Sequence, residues 1–265
     1  MKPWHKIVGD ISILSLRVWR RNLLVLRSGW LIQLVPPIVE PVLYVLAFGL
    51  GLGGMIGMVT YEGNSVSYLL FMAPGVIAIT IMWWAYLETT YGSFVRMEYQ
   101  KTFQSMLATP LLIEDVIAGE WLWGATKAIV ATLLMTLMLT LMGLVHWPSG
   151  LWILPVTILG GLVFSAMGLI TSALCPRIDL FNLPIFLLLM PMFVFSGTFF
   201  PIEILPSWAL KVAYILPLTH VSILLRGACL SRVPDTWIVS SVYLIVASVG
   251  LSVLSFVLMY RRIVK

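Results

Sequence analysis

Charge is what this chain has least of. Only 10% of its 265 residues are charged and 60% are hydrophobic, with a mean hydropathy of +1.02. A soluble domain carries about 25% charged residues. A fold of this composition would have too little polar surface to face water on all sides, so lipid is the expected solvent for most of it. Cysteine is nearly absent as well. Cys175 and Cys229 fall in separate segments and form no CxxC pair, which argues against a disulfide or thiolate-metal framework and for packing roles. His5, His146 and His220 are equally scattered, with no HExxH, no paired carboxylates and no GxSxG-like serine to suggest an enzyme. No cleavable signal peptide is expected, because the basic N-terminal stretch is too long and lacks a small-residue cleavage site before a short apolar run.

What the chain does have is apolar runs. A membrane span needs roughly 20 residues to cross about 30 Å of hydrocarbon. Six runs qualify, over approximately Leu31–Gly51, Leu69–Leu87, Ala118–Val145, Leu151–Leu174, Leu183–Phe200 and Trp237–Tyr260. The expected fold is therefore all-α and polytopic, a single transmembrane domain over residues 1–265.

The few charges are placed unevenly. Lys2, Lys6, Arg17, Arg20, Arg21 and Arg27 precede the first run, and Arg261, Arg262 and Lys265 follow the last. With six spans and the N-terminus inside, Arg96, Lys101 and Arg177 also fall inside, and only Lys211, Arg226 and Arg232 fall outside. Such a bias predicts both termini on the cytoplasmic side of the membrane. The net charge of +5 points to lipid headgroups and not to nucleic acid, since the basic residues flank apolar runs instead of forming a basic domain. Lys127 lies near the inner end of the third run, within reach of the interface by snorkelling.

Three segments between or before the spans stand out. Residues 1–30 hold Ile7, Ile11, Leu14 and Val18 at helical spacing over 4–28, with arginines on other faces, which predicts a helix lying on the inner leaflet. Residues 92–117 mix charge with Phe103, Met106 and Leu107 and are broken by Pro110. This predicts a short partner-docking helix in preference to a plain loop of that length. Residues 197–222 are rich in proline and aromatics and too interrupted to span. Their backbone must still satisfy itself at membrane depth, so short re-entrant or surface-lying helices are expected on the outer side between spans five and six.

Two nucleotide-binding motifs appear and fail. Gly49 to Gly54 spells GxGxxG but ends a membrane span with no βαβ context, so span exit or close helix packing is the better reading. Gly119-Glu120-Trp121-Leu122-Trp123-Gly124 resembles a P-loop, yet Ala125 stands where the phosphate-reaching lysine belongs. Any ATP chemistry therefore belongs to another polypeptide. Intramembrane charge is more informative. Glu40, near the middle of the first span, has two readings: a cavity-lining residue beside a substrate path, or a structural carboxylate bonded to a neighbouring helix. Glu88 and Lys127 read as interfacial charges or an ion pair. The aromatic residues, among them Trp83, Trp84, Tyr86, Phe193, Phe195, Phe199 and Phe200, could line a route for sugars or acyl chains, although anchoring at the interface accounts for most of them.

Several stretches together carry a family resemblance: Val18-Trp19-Arg20-Arg21-Asn22, Glu40-Pro41-Val42-Leu43-Tyr44, Ala73-Pro74-Gly75, Arg96-Met97-Glu98-Tyr99-Gln100-Lys101-Thr102, Met106-Leu107-Ala108-Thr109-Pro110, Phe200-Pro201 and Pro217-Leu218-Thr219-His220. Over its whole length the chain resembles ABC-2 type permeases, specifically the nodulation-factor branch that exports lipo-chitooligosaccharides. The resemblance implies a homodimer in the bacterial inner membrane, with two ATP-binding subunits docked below that hold the ATP and Mg²⁺. It implies that Arg96, Glu98, Lys101, Met106, Leu107 and Pro110 couple to the ATPase. It also implies that the first and fifth spans line the pathway, with Glu40, Tyr44, Phe193, Phe195, Phe199 and Phe200 as pathway candidates. The expected function is export of an amphiphile such as a lipo-oligosaccharide or another glycolipid. Drug or antibiotic efflux on the same scaffold is the alternative, and a membrane-embedded lipid-modifying enzyme is the alternative from another class.

Overall fold

A computed structural model describes residues 4–61 and 63–264; Lys2 and Lys265 lie outside the described residues. The helices are α1 (Trp4–Gly9), α2 (Ser15–Ser28), α3 (Trp30–Tyr44), α4 (Tyr68–Tyr99), α5 (Thr102–Leu107), α6 (Ile113–Leu141), α7 (Ile153–Leu174), α8 (Ile178–Phe195), α9 (Ser207–Ile215), α10 (Pro217–Leu230) and α11 (Trp237–Val264). Among the described residues six helical stretches are long and apolar enough to cross a membrane, formed by α3 with its continuation to Ile56, α4, α6, α7 with its leading turn, α8 and α11. The chain is an all-α polytopic membrane protein, as its composition predicts. One small exception is an antiparallel hairpin, β1 (Met58–Tyr61) and β2 (Asn64–Ser67), that joins the first two spans.

Burial divides the spans into inner and outer ones. In α4, 78% of the most apolar window is buried within the chain, against 6% in the first span and 17% in α8. The core is thus α4 with α6, α7 and α10 around it, centred on residues such as Met72, Ile77, Met82, Phe164 and Leu225. A second core at the end that carries both termini joins Ile7, Val18, Phe94, Phe103, Met106, Phe181 and Phe256.

Prolines shape the first span. Pro36, Pro37 and Pro41 sit inside α3, and the helix widens into π-helical turns over Val45–Leu52 before ending at Ile56. Each proline removes one N–H donor from the helix ladder, and the wider turns begin four residues after the last of them. The GxGxxG starts within these turns and ends in the short helix Gly53–Ile56 that follows them. Gly49 packs on Leu69, where an added Cβ would come 3.3 Å from the side chain.

The structure corrects several expected boundaries. The stretch 92–117 is not one connecting segment. Helix α4 runs on through π-helical turns to Tyr99, and α6 already starts at Ile113. Only 100–112 leaves the two helices, at Lys101 with φ 53°. The helix continues because its polar side chains turn inward to partners instead of reaching for water. The stripe Ile7, Ile11, Leu14 and Val18 also faces protein more than lipid. Ile7 and Val18 are buried in the second core, while Ile13, Leu16, Leu24 and Val25 are exposed. At the far end the segment expected over 197–222 extends further. Helices α9 and α10 meet at Leu216 with an 85° bend, and α10 runs to Leu230 against α4.

Both glycines of the P-loop lookalike are packing notches. A Cβ at Gly119 would lie 2.5 Å from the Val18 Cβ on α2, and one at Gly124 would lie 2.4 Å from Thr89 Cγ2 on α4. A third notch lies at Gly75 on α4, where the chain leaving α8 crosses so closely that a Cβ would sit 2.1 Å from the Thr198 carbonyl oxygen. Gly75→Ala should therefore lower thermal stability in detergent, by about 1–3 kcal/mol. Gly54→Ala, which meets nothing within 4 Å, should melt with the wild type. Equal melting of both variants would refute this packing.

Candidate functional site

The end of the bundle that carries both termini holds a cluster of charge buried between α2, α3, α4 and α6. Its hub is Arg96, on the last turns of α4. The Arg96 guanidinium meets Glu120 of α6, with Nε 3.0 Å from Oε2 and Nη2 2.5 Å from it, and its Nη1 lies 2.9 Å from Glu88 Oε1. Glu120 is fully buried and also accepts from Ser93 Oγ (2.6 Å) and from Asn22 Nδ2 on α2 (2.9 Å). Glu88 accepts from Trp123 Nε1 at 2.8 Å and pairs with Lys127 Nζ at 3.6 Å, and Lys127 donates onward to the Gln33 side chain on α3. Charges at this depth persist only when paired and hydrogen-bonded, and here both carboxylates have their oxygens occupied.

Helix α2 is fastened to the same place. The Ser12 backbone N–H and hydroxyl both donate to Asp115 (2.7 and 2.9 Å), whose other oxygen accepts from the Leu112 N–H and so caps α6. Trp19 Nε1 donates to Thr126 Oγ1 at 2.8 Å. Arg21 donates to Asn22 at the rim of the cluster. Burial there pulls its guanidinium down from the usual arginine range, with Glu120 opposing and Arg96 adding to the effect.

Directly below the hub hangs α5. Phe103 and Met106 are buried in the second core, so the apolar residues expected on the docking face are instead the anchors that hold the helix to the bundle. The exposed surface is made by Lys101, Gln104, Ser105, Ala108, Thr109 and Pro110, with Leu107 half-buried. Glu98 pairs with Arg262 of α11 (3.0 Å) and faces Lys101 (3.9 Å), which ties the tail of α4 to the last span. Of the six residues expected to couple, Lys101 and Pro110 thus point outward. Arg96 and Met106 point inward, and Arg96 connects the segment to the interior without offering a contact to a partner.

The expected pathway residues are only partly brought together. Tyr44 stacks on Phe48 (ring centroids 5.9 Å), Phe48 on Phe199 (5.0 Å), and Phe193 meets Phe199 edge-on (5.2 Å), giving one aromatic row between the first span and the end of α8. Phe195 turns away to Trp208 on α9 at 6.1 Å. Phe200 is half-buried beyond the row. Glu40 is half-buried and faces the Trp84 side chain, whose ring also lies 5.6 Å from Lys127 Nζ. His146 and His220 lie apart, the first on the Cys229 carbonyl and the second between the Tyr214 carbonyl and Ser240.

Sequence reasoning missed Asn22, Ser93, Glu120, Trp123 and Phe48. For Glu120 a signal existed, a carboxylate beside an apolar run. For the others none did, because polar and aromatic residues of these types occur all along the chain. Truncation of Glu120 to Ala leaves Arg96 with Glu88 alone and should destabilise the protein by about 3–5 kcal/mol, read as a fall in detergent melting temperature and in folded yield. Lys101→Ala, on the exposed turn, should leave both unchanged. A Glu120→Ala variant as stable as wild type would remove the hub role.

The ABC-2 type transporter family profile matches residues 14–230. Nodulation protein J of Sinorhizobium fredii is 36% identical over 230 residues, covering 87% of this chain and 83% of the relative. Nodulation protein J of Rhizobium leguminosarum bv. viciae is 38% identical over 217 residues, covering 82% of each. The inner membrane transport permease YadH of Escherichia coli is 23% identical over 204 residues, covering 77% of this chain and 78% of the relative.

Proposed function

This chain belongs to the ABC-2 type transporter family, and we propose that it is the permease subunit of an exporter that moves an acylated oligosaccharide or similar glycolipid out across the bacterial inner membrane. The observation that carries the reading is the exposed α5 turn, hung on the tail of α4 beside a buried ionic hub. A force applied at Lys101–Pro110 meets an element whose other face, Phe103 and Met106, is locked into the bundle. It is passed directly to Arg96 and so to α6 and α2. The energy source is a separate subunit that binds ATP and Mg²⁺, and the end with both termini faces the cytoplasm, as the clustering of basic residues there favours.

Two copies of the chain form the pathway in this scheme. The first span and α8 are the least buried of the six, and their outward faces (Val35, Val39, Leu43; Phe186, Leu187) suit contact with a second copy and with lipid. Docking and release of the nucleotide-loaded partner tilt α4 and α6 as a body, a rigid-element change driven by differential contacts in the two states. The aromatic row at Tyr44, Phe48, Phe193 and Phe199 offers flat apolar faces to sugar rings or acyl chains as they pass.

Co-reconstitution with the ATP-binding subunit tests the reading. Acylated oligosaccharide should stimulate ATP hydrolysis, and stimulation by cationic drugs alone would replace the glycolipid with drug efflux. Lys101→Glu should leave insertion and melting intact but reduce stimulated hydrolysis and export several-fold. Full activity in that variant would place the docking contact elsewhere.

A further inference from the structure

A cavity of about 460 Å³ opens between α2, the start of the first span, α4 and α6, immediately beside the ionic hub. Its lining is mixed: Arg21, Gln33, Glu88, Arg96 and Lys127 are polar, and Val25 and Leu26 extend it with apolar surface along α2 beyond Arg21. Its hydrogen-bonding capacity is lopsided. The carboxylate oxygens are occupied: Glu88 Oε1 by Arg96 and Trp123, Glu88 Oε2 by Lys127, and both Glu120 oxygens by Arg96, Ser93 and Asn22. Donors remain in excess. Arg21 donates to the neighbouring Asn22 and forms no ion pair among the described residues. Lys127, nearly buried, donates to Gln33 and shares Glu88 with Arg96. The cations Arg21, Arg96 and Lys127 outnumber the carboxylates Glu88 and Glu120 around this space.

A site with surplus positive charge, spare N–H donors and adjoining apolar surface at Val25 and Leu26 matches an anion that carries a hydrocarbon tail. We propose that this cavity binds the phosphate of an anionic phospholipid. Arg21 and Lys127 donate to the phosphate oxygens, where ionised partners make short, strong hydrogen bonds. The acyl chains leave beside Val25, which is exposed, at the Gly29 bend where α2 turns into α3. A bound lipid would join α2 to the first span and α6 at the point where the hub is reached from outside. The inference rests on the export reading only for the leaflet, the inner one, that supplies the lipid; binding itself requires neither ATP nor transport.

The test is lipid retention by the purified full-length chain in neutral detergent, read by native mass spectrometry with dioleoylphosphatidylglycerol, dioleoylphosphatidylcholine or inorganic phosphate added. Phosphatidylglycerol should stay bound and raise the melting temperature, and phosphatidylcholine should not. Arg21→Gln should weaken retention about tenfold, the loss of one charge-assisted hydrogen bond. Leu26→Trp, which keeps every charge and fills the cavity, should abolish retention while its lipid-free melting stays that of wild type. Equal retention of the two lipids, or undiminished phosphatidylglycerol binding in both variants, would overturn the proposal. Displacement of phosphatidylglycerol by millimolar inorganic phosphate would assign the site to free phosphate and overturn the lipid as its occupant. Because no nucleotide or partner enters the assay, its failure leaves the export reading standing, and a failed export assay leaves this result untouched.

Discussion

A guanidinium removed from water must find acceptors for its N–H groups, and the end of this bundle that carries both termini meets that requirement with carboxylates. Arg96 is inward-facing on α4 and Glu120 is fully buried on α6, so each is tolerable only with the other in place. Their meeting requires α4 to remain helical past Gly92 instead of breaking at the membrane surface. It also requires α6 to present Glu120 to α4 while the adjoining Gly119 lets Val18 of α2 approach. Asn22 then reaches the remaining acceptor capacity of Glu120. Helix α2 is thereby a part of the bundle, and its apolar residues divide between protein and lipid.

The far end solves the same problem differently. Arg226 of α10 is buried without a carboxylate ion pair among the described residues. It donates to the carbonyls of Gly197, Thr198 and Phe71, and its guanidinium lies 4.1 Å from the Phe71 ring centroid. Backbone carbonyls and a ring face replace a counter-ion there, and the irregular chain after α8 has its exposed carbonyls satisfied in return. Helix α4 is common to both arrangements, with Phe71 and Gly75 at one end and Glu88 and Arg96 at the other. It is also the most deeply buried of the spans.

Much of this was legible along the chain. Six apolar runs of sufficient length, basic residues beside the first and last of them, and the two failed phosphate-binding motifs are local properties of composition and spacing. The Glu88–Lys127 pairing is one of the two roles their positions suggest, since intramembrane charges of opposite sign have few other options. The tail of α4 was not legible, because Arg96, Glu98 and Lys101 look like a solvated run when their partners are unknown. Nor was the inward turn of Phe103 and Met106, whose spacing suits a docking face as well as an anchor. The false P-loop carried a real signal of another kind: its glycines are spaced for neighbours, Val18 on one side and Thr89 on another.

By itself, the sequence determined that this protein lives in lipid, crosses it six times and carries most of its positive charge at one end. Each of these follows from the cost of placing apolar or charged groups in the wrong solvent, and that cost is paid residue by residue. Tertiary structure decided which spans are interior and which charges meet. In helices apolar almost all round, no stripe announces the face that packs; the rotation of each helix is set by the notches and buried ions of its neighbours, which lie far away in the chain.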